Sequence, residues 1–270
     1  MEELLDTNIK DIINQYPTVN EALLEYNIAC VSCNVGTCRL RDIIEIHNLT
    51  LPQEKAIMSR IAKAVFPNRE IELPTLRRKP QSTTIKLSPP LNKLVREHSV
   101  IKKLVFSIPF LAAEFEENPS TTQELIEEGL DFIRRYADRF HHAKEEDVLF
   151  KYFDENAEIF QVMYKDHEQA RSHVRQTHDA LEKGDDKAVL HNLHAYGDLL
   201  KEHIQKEDEV LYPWIDRNLT DSQVGELFTK FSSIDEEFGN EPSRHERYIG
   251  RLEKRYGDEI ANDKKKKERE

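Results

Sequence analysis

His141-His142-Ala143-Lys144-Glu145-Glu146-Asp147-Val148-Leu149-Phe150 repeats, in chemical terms, as His203-Ile204-Gln205-Lys206-Glu207-Asp208-Glu209-Val210-Leu211-Tyr212. Each copy places a glutamate four residues after a histidine and runs into a Val-Leu-aromatic end. On an α-helix, positions four apart lie on one face. Each copy therefore aims an imidazole and a carboxylate the same way, and the two copies together form a symmetrical donor set for two metal ions.

Helical phase decides whether these groups face a core or solvent. Tyr196, Leu200, His203, Glu207, Leu211 and Trp214 form a stripe that is apolar except for its His and Glu, and Leu130, Ile133, Ala137, His141, Glu145, Val148 and Tyr152 form another. Shifted by one residue, Asp131, Arg135, Asp138, His142 and Glu146 make a charged stripe, which places His142 and Glu146 on a solvated face. Buried charges must be paired or bind metal, so the inward His–Glu pairs point to metal. Two further apolar stripes carry one imidazole each: His98 among Leu94, Ile101, Val105 and Ile108, and His167 among Phe160, Met163, Ala170 and Val174. Either alone reads equally well as a hydrogen-bonded core histidine. With the paired copies they complete four helices with inward histidines. His173, His178, His191 and His194 fit this phase less well, and His245 lies in a polar tail.

His98, then His141-x-x-x-Glu145, then His167, then His203-x-x-x-Glu207 resembles the hemerythrin-like, HHE cation-binding family over roughly residues 89 to 218. The resemblance implies an all-α, up-down four-helix bundle with a carboxylate-bridged di-iron centre. It implies His98, His141, His167 and His203 as ligands and Glu145 and Glu207 as bridges. The oxygen carriers of the family have a second histidine four residues after the third-helix one, where this chain has Arg171. They also end in His-x-x-x-x-Asp, which Asp208 would satisfy, although the internal repeat favours Glu207. Four histidines and two glutamates look more like the repair-of-iron-centres di-iron proteins. A ferritin-like site needs Glu-x-x-His on two helices, and no histidine here has a glutamate three residues before it. Mixed imidazole and carboxylate donors able to bridge two ions suit iron best, with manganese or zinc as competitors. Two imidazoles per ion leave positions open to O2, NO or peroxide.

The chain's 3 cysteines all lie near its start, as Cys30-Val31-Ser32-Cys33 followed by Cys38. Helices are expected over Ile9 to Tyr16, Val19 to Tyr26, Leu40 to His47 and Pro52 to Val65, the last capped by Thr50. This resembles the small helical domain preceding hemerythrin-like domains in repair-of-iron-centres proteins. It is closer still to a related domain carrying Tyr-x-Ile-x-Cys-x-x-Cys, here Tyr26, Ile28, Cys30 and Cys33. Cys30, Cys33 and Cys38 could hold a further metal or an iron–sulfur cluster, with His47 as a fourth ligand. A redox pair with a bystander, or three packed thiols, are the competing readings.

The organisation expected is a cysteine-bearing domain over 1–66, a proline-bearing basic linker over 67–88, the bundle over 89–218, and an extra helix with a charged tail over 219–270. All the proposed ligands lie within 89–218, which is expected to fold and bind metal alone. Asp221 to Phe238 reads as a helix outside the bundle. Beyond Gly239 the sequence is nearly all charge and reads as exposed helix or disorder. Pro109 inside the first bundle helix predicts a kink or break. A net charge of −12 opposes nucleic-acid binding, no apolar run is long enough to span a membrane, and the cysteine usage fits the cytoplasm. The function implied is binding of O2 or NO in iron–sulfur cluster repair or in the response to nitrosative or oxidative stress. Its partners would be damaged iron–sulfur proteins or a redox protein. The alternative is an O2- or redox-sensing protein without turnover.

Overall fold

A computed structural model of the chain describes residues 2–26, 28, 30, 39–41, 43, 47, 49–67, 69, 73 and 87–267. Helices account for the regular structure of these residues, and none of them forms a strand. The chain divides into two compact units. The first comprises Met1–Lys86, Glu155–Val162 and Glu209–Asn218, and the second Leu87–Asp154, Met163–Asp208 and Leu219–Glu270.

The first unit opens with α1 (Glu2–Leu5), α2 (Ile9–Gln15) and α3 (Thr18–Leu24), followed later by α4 (Leu51–Val65). Asn8 starts α2 by accepting from the Lys10 amide. Thr50 and Gln53 form the capping box of α4, as the sequence predicts for Thr50. Ile57, Met58 and Ile61 of α4 are buried with Ile9, Ile12, Val19, Leu23 and Cys30 in one apolar cluster. Cys33, Cys38 and most of the helix expected over Leu40 to His47 lie outside the described residues, as does most of the expected linker.

In the second unit, α5 (Pro89–Glu117) begins with two prolines, whose missing amide donors cost nothing in a first turn. It runs through Pro109 as one helix, so of the kink or break expected there the break does not occur. Then α6 (Pro119–Phe132) passes into wider π-helical winding over Ile133–His142 and again over Lys144–Leu149. A 26-residue helix, α7 (Glu158–Lys183), ends at Gly184, whose positive φ of 66° is the left-handed conformation that glycine adopts most readily. Asp185 then caps α8 (Asp186–Lys206), which continues as a π turn over Glu207–Leu211. The short helix α9 (Tyr212–Asn218) belongs to the first unit. The core of the bundle joins Leu104, Ile108 and Phe115 of α5 to Leu130 and Ala137, to Ala170 and Val174, and to Leu193, Tyr196 and Leu200.

Two C-terminal helices follow rather than one. α10 (Asp221–Phe238) has the expected bounds and buries Leu227 and Phe231. α11 (Glu241–Lys267) bears out the helix in the expectation of exposed helix or disorder and corrects its exposure. Tyr248, Ile249, Leu252 and Tyr256 lie on one face of α11 and join the bundle core. His245 is buried as well. The dense charge of the flanking positions masks this stripe, because those charges occupy the other faces of the same helix.

Candidate metal centre

His98 on α5, His141 and Glu145 on the π-wound continuation of α6, His167 on α7, and His203 and Glu207 at the end of α8 meet inside the second unit. None of the six is more than 1% exposed. The imidazoles form two pairs. His98 Nε2 and His141 Nε2 are 2.8 Å apart, and His167 Nε2 and His203 Nε2 are 2.9 Å apart. Glu145 Oε2 lies 3.7 Å from His141 Nε2 and 3.6 Å from His167 Nε2, and so faces both pairs. Glu207 does likewise, with an oxygen 3.2 Å from His98, 3.1 Å from His203 and 4.0 Å from His167. The residues singled out in the bundle sequence are thus all brought together, whereas two of the three cysteines lie outside the described residues.

Around this centre runs a second ring that the sequence reading left out. His98 Nδ1 donates to Asp208 at 2.7 Å and His141 Nδ1 to Glu97 at 2.9 Å. His167 Nδ1 donates to Glu146 at 2.5 Å, and His203 Nδ1 faces Asp166 at 3.4 Å. Each carboxylate is held in turn by a cation. Lys102 pairs with Asp208 at 2.5 Å, Lys144 with Glu97 at 2.5 Å, Arg171 with Glu146 at 2.8 Å and Lys206 with Asp166 at 2.9 Å. The signal was in the repeat. Glu97-His98-x-x-x-Lys102 matches Asp166-His167-x-x-x-Arg171, and His141-x-x-Lys144-Glu145-Glu146 matches His203-x-x-Lys206-Glu207-Asp208. Asp208 orients an imidazole, and Glu207 is the carboxylate inside.

His142 and Glu146 correct the expected solvated face. His142 is 4% exposed and stacks on His167, and Glu146 is half-buried against His167 and Arg171. The cause is the π winding, in which backbone bonds run five residues back rather than four. A turn then holds more than the ~3.6 residues of an α-helix, and His141 and His142 both turn inward.

The electrostatics follow from this packing. Burial disfavours charge on His98, but Asp208 and Glu207 outweigh it and raise its pKa. Burial is likewise outweighed at His203, where Glu207 and Asp166 raise the pKa to about 9. Burial and the neighbouring His98 push His141 down to about 3. Burial with His142 and His203 pushes His167 well below the usual range. Burial would raise Glu207, but His203 and His98 hold its carboxyl well down. In each pair one ring, His98 or His203, is thus pushed toward the protonated form and its neighbour, His141 or His167, toward the neutral one. Ligand-capable atoms of His98, His141, Glu145 and Glu207 all lie within 4.8 Å of one another, as do those of His142, His167 and His203. Buried imidazoles with tethered Nδ1 atoms, converging with two carboxylates, are the donor set of a cation site.

No curated protein and no solved structure matches the chain. Residues 90–215 match the hemerythrin HHE cation binding domain, and the inward histidines and glutamates all fall inside that span. Over residues 90–215 the chain is therefore similar to the hemerythrin HHE cation binding domain, and the buried His/Glu cluster that could hold a cation lies within that span.

Proposed function

We propose that the chain is a non-haem di-iron protein that binds O2 or NO and acts in the repair of iron–sulfur clusters under nitrosative or oxidative stress. The observation that carries the reading is the reach of Glu145 and Glu207, each of which faces both imidazole pairs. In this reading His98 and His141 would hold one ion and His167 and His203 the other, with Glu145 and Glu207 as carboxylate donors within reach of both. When bound, two irons supply one-electron chemistry and positions for a small ligand. The chain's own part is to fix the rings, keep bulk water out and hold the bridges. The outer carboxylates set each ring's tautomer and raise its basicity. The Tyr26-x-Ile28-x-Cys30-x-x-Cys33 segment supports the repair role, with thiols that pass iron or electrons to a damaged cluster in the cytoplasm.

The first test is metal content and the absorption spectrum of protein purified without oxygen. Two irons per chain with an oxo-bridge band are expected after exposure to air, and a mononuclear or iron-free protein sinks the reading. The repair role is tested by reactivating a cluster enzyme that NO has inactivated. Activity in wild type that is lost in Cys30→Ser with Cys33→Ser is expected, with both bundle irons retained. No reactivation by wild type under reducing conditions would leave ligand sensing as the function of the same centre.

A further inference from the structure

His142 stands outside the symmetry of the centre. The other four inward rings set Nδ1 against a carboxylate and Nε2 toward the middle. His142 Nδ1 is buried without a hydrogen bond. The nearby Asp138 Oδ1, 3.5 Å away, accepts instead from Arg171 Nε at 2.8 Å. The His142 ring lies flat on His167, with 3.8 Å between centroids and 14° between planes. Two imidazoles that ligate one ion must each aim the plane of the ring at that ion, and parallel stacked rings cannot both do so. His142 therefore sits beside the position held by His167 and His203 rather than among its ligands. In the second copy of the repeat the same place is taken by Ile204, which is buried.

A cavity of about 130 Å³ reaches His142. Exposed Arg134 and Arg175 and buried Tyr196 and His142 all line it. Asp138 and Arg171 form the polar part of its wall, and the remainder is aliphatic. We propose that this cavity admits and briefly holds a small exogenous ligand of two or three heavy atoms. In this proposal His142 is the group that meets the ligand before it reaches the His167–His203 position. At roughly 30 Å³ per water in the liquid, the space is of the size of a diatomic gas or a small anion. An imidazole nitrogen whose neighbouring carboxylate oxygen stands 3.5 Å off can still donate to or accept from such a guest, and the exposed arginines favour an anionic one. The inference rests on the reading of the centre as iron with open positions.

Azide tests it, titrated into the iron-loaded full-length chain and followed by visible absorption and stopped flow. His142→Leu is expected to keep the full iron content and to bind azide about tenfold more weakly. Arg134→Glu with Arg175→Glu is expected to slow azide association several-fold. Arg139→Glu, an exposed reversal outside the cavity, should leave association unchanged. Loss of an iron from His142→Leu would make His142 a ligand and overturn the proposal. Full iron with unchanged azide affinity and rates in every variant would overturn it too. If wild type itself lacks iron, or is loaded yet gives no azide response, the iron reading fails and this proposal falls with it. Metal analysis and the wild-type titration identify that case before any variant is compared.

Discussion

At the scale of the residue, the centre is held by chains of three groups, each running from imidazole to carboxylate to cation. The chain from His141 through Glu97 to Lys144 is the most deeply buried, and Lys144 also reaches Asp235 at 3.0 Å. Burial lowers the Lys144 pKa to about 8 in spite of Glu97. Glu97→Gln should lower metal affinity about 10–100-fold through the freed His141 ring. It should also cost about 3–5 kcal/mol, because it leaves a buried cation short of a partner. Adding Lys144→Met should restore the stability but not the affinity, as read by denaturant unfolding and chelator competition; affinity that returns with stability would contradict the orienting role of Glu97. His141→Ala, by contrast, should abolish stoichiometric metal outright. The rings pushed toward protonation make a further forecast for the metal-free chain. His203 is raised from an unfolded value of ~6.5 to about 9. Its contribution is therefore fully present below about pH 6.5 and is lost as the pH rises through 9. Metal-free stability should fall over that interval by an amount on the order of a few kcal/mol, while metal binding, which must displace the protons, should strengthen. Unfolding curves of both forms across this range check the opposed slopes, and parallel slopes would show that the pairs do not hold protons in place of metal.

At the scale of the element, much of the site could be read in advance and one turn could not. His-x-x-x-Glu on an apolar stripe marked four of the six central residues, because burial of a charge is visible as a polar break in an apolar row, whereas His98 and His167 alone read equally well as core histidines and joined the set only beside those pairs. The fate of His142 was illegible because a fixed helical period cannot register a change of winding partway along a helix. No residue near Ile133–Leu149 announces a π stretch in the sequence. The outer ring was legible in principle, since an acid precedes His98 and His167 and another follows Glu145 and Glu207. Reading it requires knowing which helix each acid faces. The winding itself can be tested by deleting Ala143, the residue between the two π stretches. The helix should re-form with ordinary α winding and keep most of its circular dichroism. His141 and Glu145 should fall out of register, and bound metal should drop to well under one equivalent. Full metal in the deletion variant would mean that the wider winding is not needed to place the ligands.

At the scale of the whole molecule, the second unit is larger than the ligand-bearing span. Tyr248 of α11 donates to the Leu125 carbonyl at 3.1 Å, and a methyl group placed on Gly129 would come within 2.8 Å of its hydroxyl. Gly129→Ala should therefore destabilise by about 1–3 kcal/mol through overpacking, seen as a lowered denaturation midpoint with metal content unchanged. Cutting the chain after residue 218 removes the buried side chains of α11, each worth about 1.5–3 kcal/mol. Residues 89–218 alone should consequently aggregate, whereas residues 87–267 should stay soluble and metal-loaded; sedimentation and metal analysis of the two fragments decide. The sequence hid this because the apolar stripe of α11 is thin and closely bordered by lysine, arginine and glutamate. Charge carries a last consequence. Glu97, Glu146, Asp166 and Asp208 each face a cation, with Lys144 shared by Asp235 and Arg171 by Asp138, and the inner carboxylates Glu145 and Glu207 together supply a charge of minus two. Two divalent ions seated there would exceed it by two positive charges, and two trivalent ions by four. A buried, poorly polarisable interior does not tolerate such an excess. A loaded centre would therefore favour a small anion beside its ions, so that a chain of net charge −12 would carry at its heart a demand for negative charge.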